Sequence, residues 1–175
     1  MNASINALLV RIQQGEVEAM NELYLQTKRG VFSFILPYLH DIHLAEDIMQ
    51  DTYMKIFQNI HQFQPKTNGL NWMLTIAKNT ALNLINVRQR EDSFDTQEMN
   101  DVLDGGHDTY EFDSPIIQKA KALLPEDEAS IVFLYAIGDY KHREIADMLS
   151  LPLGTVTWKY NKAMKTLREA FRDEQ

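Results

Sequence analysis

The acidic segment from residue 91 to residue 114 constrains the fold of this chain more than any other feature. It holds nine Asp or Glu residues, no Lys or Arg, and the pair Gly105-Gly106. Its apolar residues are too few for their burial to offset the entropy lost on ordering. The sequence therefore predicts a flexible acidic linker here, and with it two separate domains, residues 1–90 and 115–175.

The two flanking parts have the composition of globular domains. Hydrophobic residues make up 45% of the 175 residues and charged residues 24%, which is sufficient for a core. The absence of cysteine excludes disulfides and thiolate metal sites and fits a reducing cytoplasm. No apolar run approaches the roughly 20 residues of a spanning helix, and the first residues lack the features of a signal peptide. We therefore expect a cytoplasmic protein with no membrane contact of its own.

Apolar residues recur at spacings of three and four on both sides of the linker, which is the period of an amphipathic helix. Asp41 is a suitable N-cap for a helix over 42–58. The turn formers in 64–69 predict a loop before a helix over 70–90. Pro125, followed by three acidic residues, predicts another helix start. No alternating pattern competes with these helices, so the predicted fold class is all-α.

Residues 144–167 predict two helices joined by a tight turn, a helix-turn-helix. Spacings of three and four place Leu153, Val156, Tyr160, Ala163 and Leu167 on a buried face. Trp158 lies roughly 200° from Val156 around the helix and is therefore expected outside.

The outer face of this second helix is basic, which is typical of a helix that enters the major groove of DNA. The candidate contacts are its early side chains and the lysines that follow: Thr155, Thr157, Trp158, Lys159, Asn161, Lys162 and Lys165. A lysine-rich outer face is also the pattern of an ordinary solvated surface. Spacing alone leaves both interpretations open.

A polar ridge lies opposite the apolar stripe of the predicted 42–58 helix. It consists of Asp47, Gln50, Asp51 and Met54. Such a ridge could hold a metal, supply catalytic acids, bind a partner or simply face solvent. A metal site is disfavoured because no other helix offers a Glu-x-x-His pair. Paired catalytic acids would need a pocket that nothing else in the sequence indicates.

The predicted 70–90 helix carries a face of amide and basic side chains. Asparagine pairs well with adenine edges, and a helix lined by Asn, Lys and Arg can read exposed bases. The residues of this face are Lys78, Asn79, Asn83, Asn86 and Arg88. A plain polar surface would have the same pattern. Trp72, directly after the loop, is expected in the core.

Three stretches together resemble the extracytoplasmic-function group of bacterial sigma factors, which are initiation factors of RNA polymerase. They are LAEDIMQDTYMKIF (44–57), LNWMLTIAKNTALNLI (70–85) and LPEDEASIVFLYAIGDYKHREIADMLSLPLGTVTWKYNKAMKTLREA (124–170). Their order and the acidic segment between the second and third also match. The resemblance covers nearly the whole chain outside 91–114.

The resemblance implies that the first domain corresponds to sigma region 2. Its first stretch is similar to the helix that docks on the coiled coil of the largest polymerase subunit, with Asp47, Gln50, Asp51 and Met54 at that interface. The second is similar to the segment that opens and reads the −10 promoter element. There the implied contacts are Asn68, Lys78, Asn79, Asn83, Asn86 and Arg88, and loop 63–69 would hold a flipped base.

The resemblance implies that the second domain corresponds to sigma region 4, whose helix-turn-helix reads the −35 element as duplex. His142 and Arg143 would meet phosphates. The recognition positions are those of the basic helix, from Thr155 to Lys165. This chain departs from the family at Thr157, where a basic residue is common, and at Trp158, where Ser is common.

The leading hypothesis is therefore a promoter-specificity subunit with no catalytic centre, cofactor or metal. Its expected partners are core RNA polymerase, promoter DNA and an anti-sigma factor. A net charge of −8 is compatible with this role because the polymerase would supply most phosphate contacts. One alternative is a freestanding helix-turn-helix regulator, which predicts a dimer and a palindromic site. Another is a sigma mimic that sequesters an anti-sigma factor. No Walker motif or Gly-rich phosphate loop favours an enzyme.

Overall fold

A computed structural model of the chain describes residues 2–39, 41–94 and 115–172. Within these ranges the chain forms eight α-helices and no strand, which confirms the all-α fold class. The helices are α1 (Asn2–Gln13), α2 (Ala19–Ile35), α3 (Ile42–Gln58), α4 (Gly69–Phe94), α5 (Pro115–Leu123), α6 (Glu126–Ala136), α7 (His142–Leu149) and α8 (Leu153–Arg172). Short 3-10 turns occupy Leu36–Tyr38 and Ile60–Gln62.

Most of the predicted linker lies outside the described residues. Residues 91–94, which composition assigns to it, continue α4 to Phe94. Residues 95–114, including Gly105-Gly106, are not among the described ranges.

The start of α3 confirms the predicted cap. The Asp41 carboxylate accepts hydrogen bonds from the backbone N–H of His43 at 2.7 Å and of Leu44 at 3.2 Å. These bonds satisfy two of the donors that the first turn of a helix leaves without partners. Ala45, Ile48, Thr52 and Ile56 are then buried on one side of α3, and the polar ridge is left on the other.

The loop before α4 is held in place by α1. The Asn6 side chain donates to the carbonyls of Pro65 and Thr67 and accepts from the N–H of Gly69. A Cβ on Gly69 would lie 2.4 Å from the Asn6 side-chain oxygen, so this close approach requires glycine. The position of the first residues of α4 is thus fixed by α1.

The helix-turn-helix of α7 and α8 has most of the expected core, although Tyr160, also expected on the buried face, is half-buried. Val156, Ala163 and Leu167 are buried. Leu153, expected on the same face, is the first residue of α8 and remains 43% exposed. Pro125 caps α6 rather than occupying its first turn. Ser150 adopts φ +53° in the turn before α8, the left-handed region where a helix commonly ends.

The helices before and after the linker pack against each other. The Arg29 guanidinium of α2 donates to the carbonyl of Ile137 at 2.6 Å. Gly30 faces Tyr140, because a Cβ at Gly30 would lie 2.7 Å from the Tyr140 hydroxyl. Ser130 of α6 donates to the carbonyl of Phe34. The two helical groups therefore share a close interface.

Candidate protein and nucleic-acid interfaces

The polar ridge of α3 lies on one exposed face of the helix. Asp47, Gln50, Asp51 and Met54 are all exposed. They stand opposite the buried stripe of α3, so helical spacing alone explains why they share a face. Met54 is an apolar side chain with 62% of its surface exposed, which distinguishes this ridge from an ordinary solvated face.

An apolar groove of about 520 Å³ adjoins the ridge. From α3, Gln50, Tyr53, Met54 and Phe57 line it. The turn before α2 contributes Val17, and α2 contributes Met20, Asn21 and Tyr24. Val17 is 56% exposed and Phe57 45% exposed. Clustered exposed apolar side chains of this kind mark protein interfaces. Phe57 is not among the predicted ridge residues, although it follows Met54 by three positions, the spacing that shares a helix face.

A buried hydrogen bond and a ring contact hold Tyr53 in the floor of the groove. The Tyr53 hydroxyl shares a hydrogen bond of 2.7 Å with the buried Thr27 hydroxyl, and its ring packs edge-on against Tyr24 with centroids 4.9 Å apart. Burial raises the pKa of the Tyr53 phenol above its ordinary value, while the Thr27 hydrogen bond partly opposes that rise. The phenol therefore stays neutral at physiological pH, and the groove presents an uncharged floor.

The amide face of α4 borders a polar pocket of about 350 Å³. Asn79 and Asn83 are exposed at its edge, and the half-buried Trp72 lines it. The Trp72 ring also packs against the Phe63 ring, with centroids 5.3 Å apart, so Trp72 contacts the core as well as the pocket. Across the pocket, the Lys55 ammonium donates to the Thr80 hydroxyl. No hydrogen bond occupies the Asn79 or Asn83 side chain within the described ranges.

The other candidates near α4 have different surroundings. The Lys78 ammonium lies 5.4 Å from the centroid of the Tyr38 ring. Asn86 and Arg88 are exposed further along the helix. Asn68 is engaged within the chain, because its amide donates to the Asp147 carbonyl and to the Ser150 hydroxyl. The observed pocket lies between α3 and α4, beside loop 63–69 and not within it.

The exposed face of α8 carries the expected side chains. Trp158 is 60% exposed, as predicted. Asn161 and Lys165 are also exposed, while Thr155 and Thr157 are half-buried. All of these except Lys165 lie in the N-terminal half of the helix, the part that meets base edges in helix-turn-helix proteins.

Two lysines of α8 are paired with acids in the first turn of α6, a feature the sequence did not reveal. Lys159 forms an ion pair with Asp127, and the Lys162 ammonium lies 2.5 Å from the Glu128 carboxylate. The hydrogen bond from Lys159 holds the pKa of Asp127 below its ordinary value. Lys165 has a looser contact, 3.8 Å from the Glu169 carboxylate.

His142 packs against α8 within a cluster of aromatic rings. Its ring centroid lies 4.6 Å from that of Tyr160 and 5.3 Å from that of Tyr135. Its Nδ1 is 3.4 Å from the Thr157 hydroxyl. The neighbouring Arg143 is exposed. The structure thus brings His142 to α8 through packing, and leaves Arg143 as the side chain open to solvent.

The described residues form neither a metal-binding cluster nor a membrane-spanning helix. Among the described residues, no cluster of three or more His, Asp or Glu side chains is arranged to hold a metal ion. In the same ranges, no helix combines the length and apolar character that crossing a membrane requires.

Two family matches cover most of the chain. The family Sigma-70 region 2 matches residues 23–91, and the family Sigma-70, region 4 matches residues 115–167. Together they account for more than two thirds of the sequence. The first contains α3 with its wall of the groove and the amide face of α4, and the second contains α6, α7 and most of α8.

Several bacterial proteins are similar along almost their whole length. The RNA polymerase sigma-H factor of Pseudomonas aeruginosa is 25% identical, over 94% of this chain and 92% of its own. The ECF RNA polymerase sigma factor SigW of Bacillus subtilis is 24% identical, over 99% and 100%. The ECF RNA polymerase sigma factor RpoE of Cereibacter sphaeroides is 27% identical, over 86% and 85%.

Two solved structures share the fold. CnrH, in complex with the cytosolic domain of CnrY, superposes with a TM-score of 0.66 at 15% identity, covering 98% of this chain and 99% of that one. The sigma factor RpoE of Bartonella quintana, in complex with the anti-sigma factor NepR, gives 0.62 at 21% identity, covering 91% and 100%.

Proposed function

Because this chain belongs to the extracytoplasmic-function group of RNA polymerase sigma factors, it directs promoter-specific transcription initiation, and we propose which surface performs each step. The α3 groove binds core RNA polymerase, the amide face of α4 reads the −10 element, and α8 reads the −35 element. One observation carries this assignment: three chemically distinct exposed surfaces lie on the three helices that the family motifs occupy.

The α3 groove supports the assignment to core polymerase. Met54, Phe57 and Val17 offer apolar surface to a partner, and a few such anchors carry most of the affinity of protein interfaces. Asp47 and Asp51 form an acidic rim beside them. A helix with apolar anchors and flanking basic residues would complement both features.

The pocket between α3 and α4 supports the assignment to the −10 element. A single-stranded base is read by stacking and by hydrogen bonds to its edges, which an indole and two carboxamides can provide. Trp72, Asn79 and Asn83 supply these groups at one pocket. Strand opening would then follow from capture of unstacked bases.

The exposed half of α8 supports the assignment to the −35 element. Trp158 and Asn161 reach solvent near the start of the helix, where a recognition helix meets base edges. Lys165 follows one turn later, in position for a phosphate. Arg143, at the start of α7, is a second exposed cation for the backbone.

The chain contributes no catalytic centre, since binding energy suffices for promoter choice and strand capture. It acts in the cytoplasm, where core polymerase and DNA are found. An anti-sigma factor is its regulator, and the NepR complex of the structurally similar RpoE supports this.

The test is run-off transcription with the purified full chain and core polymerase, followed by mapping of start sites across a genome. We expect initiation at a defined set of sites only when both components are present, and weak duplex binding by the chain alone. Sharp promoter binding without core would indicate a freestanding regulator. Failure to associate with core, with both helical groups folded, would overturn the proposal.

A further inference from the structure

We propose that Glu128 of α6 is a positioning residue for Trp158, and that it acts through Lys162. The inference rests on the proposed role of α8 in reading the −35 element. It assigns Lys162 a structural task in recognition rather than a phosphate contact, and it brings in Glu128, which the family resemblance did not place among the −35 contacts.

Glu128 anchors the arrangement because its carboxylate is nearly inaccessible. Only 5% of its side chain is exposed, and the Lys162 ammonium lies 2.5 Å from one carboxylate oxygen. A buried carboxylate is costly unless it is paired and hydrogen-bonded. If Lys162 moved to a DNA phosphate, the Glu128 carboxylate would remain buried without a counter-charge. The ion pair with Glu128 therefore fixes the position of Lys162.

Lys162 in turn touches Trp158. Its ammonium lies 5.6 Å from the centroid of the Trp158 ring, within the range of a cation–π contact. The two residues are four positions apart on α8 and share a face. Since 60% of Trp158 is exposed, few other contacts restrain its ring. The indole is thus held by an ammonium that is itself held by a buried carboxylate.

Lys165 shows the contrast on the same helix. Its side chain is 78% exposed, and its partner Glu169 is 63% exposed at 3.8 Å. An exposed pair of this kind is weak and is readily exchanged for a phosphate. The charge of Lys165 is available to DNA, whereas the charge of Lys162 is balanced within the fold.

A restrained indole can discriminate between bases. In the major groove, the C5-methyl group of thymine is the apolar feature that separates it from cytosine. Trp158 held over one base pair would favour thymine there, and a freely rotating Trp158 would favour it less. The specificity of one −35 position therefore depends on Glu128, which does not touch DNA.

The experiment uses holoenzyme assembled from the full chain and core polymerase, on a promoter found by start-site mapping. Replacing each −35 base pair in turn gives a discrimination ratio at every position, and Trp158→Ala identifies the position that Trp158 reads. We expect Lys162→Met and Glu128→Gln each to reduce discrimination there roughly three- to tenfold. The double variant should lose no more than either single one, since both break the same chain of contacts.

The salt dependence of binding separates positioning from phosphate contact. Each phosphate contact contributes about 0.9 to the slope of log K against log salt concentration. Lys162→Met should leave this slope unchanged, while Lys165→Met should reduce it by about 0.9 and retain discrimination. Lys162→Arg, which keeps a cation beside Glu128 and Trp158, should restore discrimination.

A spectroscopic readout reports the ring directly. The chain has two tryptophans, so 5-fluorotryptophan labelling gives two ¹⁹F resonances, and Trp158→Phe assigns them. Glu128→Gln and Lys162→Met should both shift the Trp158 resonance and leave that of Trp72 in place. The double variant, which leaves no buried charge unpaired, keeps the test valid if a single variant unfolds.

Different results would overturn the inference, the role of α8 and the proposed function. A slope reduced by about 0.9 in Lys162→Met, with discrimination intact, would make Lys162 a phosphate contact and overturn the inference. No effect of Trp158→Ala or Lys165→Met on a promoter that the holoenzyme still transcribes would overturn the role of α8 and the inference together. No transcription by the wild-type holoenzyme would overturn the proposed function itself.

Discussion

The α3 groove and the exposed face of α8 belong to helices of similar amphipathic design, but the chain treats their exposed side chains in opposite ways. Met54 and Phe57 of the groove are left open to solvent. Lys159 and Lys162 of α8 are paired with Asp127 and Glu128 of α6. The groove keeps apolar side chains exposed, whereas much of the positive charge of α8 is neutralised by acidic side chains of α6.

The difference follows from how apolar and basic side chains bind their partners. Covering apolar side chains with a matching surface lowers the free energy, so the groove favours a protein partner, which we propose to be core polymerase. An unbalanced row of lysines would bind any DNA through its phosphates. The acids of α6 reduce that non-specific attraction. The acidic residues of the chain are therefore not confined to segment 91–114, and two of them lie against α8.

The largest effect is expected at the groove. Met54→Asp would place a charge in an apolar interface, and we expect the affinity for core polymerase to fall about a hundredfold, as at an interface hot spot. Fluorescence competition for labelled core measures this. Leu25→Asp is the matched control, because Leu25 is 58% exposed and does not line the groove. Equal losses from the two variants would show that the groove has no special role.

A smaller effect is expected at the amide face of α4. This face is polar, as the exposed face of α8 is, but its Asn79 and Asn83 side chains have no hydrogen-bond partner among the described residues. Asn79→Ala combined with Asn83→Ala should lower open-complex formation about tenfold, the value of a lost base contact. Core affinity should not change. Permanganate footprinting of the promoter gives the measurement, and Gln58→Ala provides an exposed amide outside the pocket as control. Unchanged strand opening would remove Asn79 and Asn83 from the reading surface.

The paired lysines of α8 should affect stability as well as binding. Lys162→Met leaves the Glu128 carboxylate buried without its cation, and we expect the free energy of unfolding to fall by about 1 kcal/mol. Lys165→Met should cost less than about 0.5 kcal/mol, since its pair is exposed. Urea unfolding at pH 7 compares them. If the two variants lose equal stability, the two lysines are equivalent and the contrast within α8 disappears.

The smallest effect concerns pH. Because the hydrogen bond from Lys159 lowers the pKa of Asp127, the pair stabilises the fold above the ordinary aspartate pKa of 3.8. That contribution disappears as the pH falls below 3.8 through the lowered value. Asp127 is largely exposed, so Asp127→Asn should cost only a few tenths of a kcal/mol at pH 7.

Urea unfolding at pH 7, 5 and 3 tests this, with Glu126→Gln as a control for removing an acid from the first turn of α6. The difference between wild type and Asp127→Asn should shrink towards pH 3. A difference that grows as the pH falls would contradict the sign of the argument.

Features that depend on neighbouring residues could be predicted from the sequence. The Asp41 cap, the exposure of Trp158 and the shared face of Asp47 and Gln50 follow from spacing along one helix. The family resemblance added the assignment of helices to partners. Leu153 shows the limit of periodicity, because the first residue of a helix can escape burial that its spacing predicts.

Features that depend on distant segments could not be predicted. Lys162 and Glu128 are 34 positions apart, and only the packing of α8 on α6 brings them together. The groove likewise needs Val17 from the turn before α2, which lies far from α3 in sequence. Nothing in the local pattern distinguishes a lysine that faces a buried carboxylate from one that faces water.

The contact between Asn68 and Ser150 bears on how far apart α4 and α8 can bind along DNA. Asn68 and Asn71 both donate to the Ser150 hydroxyl, so the loop before α4 touches the turn before α8. Elements at −10 and −35 are roughly 25 base pairs apart, or about 85 Å along B-form DNA. If α4 and α8 read them as proposed, this contact must break when both are bound. Residues 95–114 span at most about 70 Å when fully extended. The breadth of the helical groups must therefore supply the remaining distance, which limits how far the promoter spacer can be lengthened.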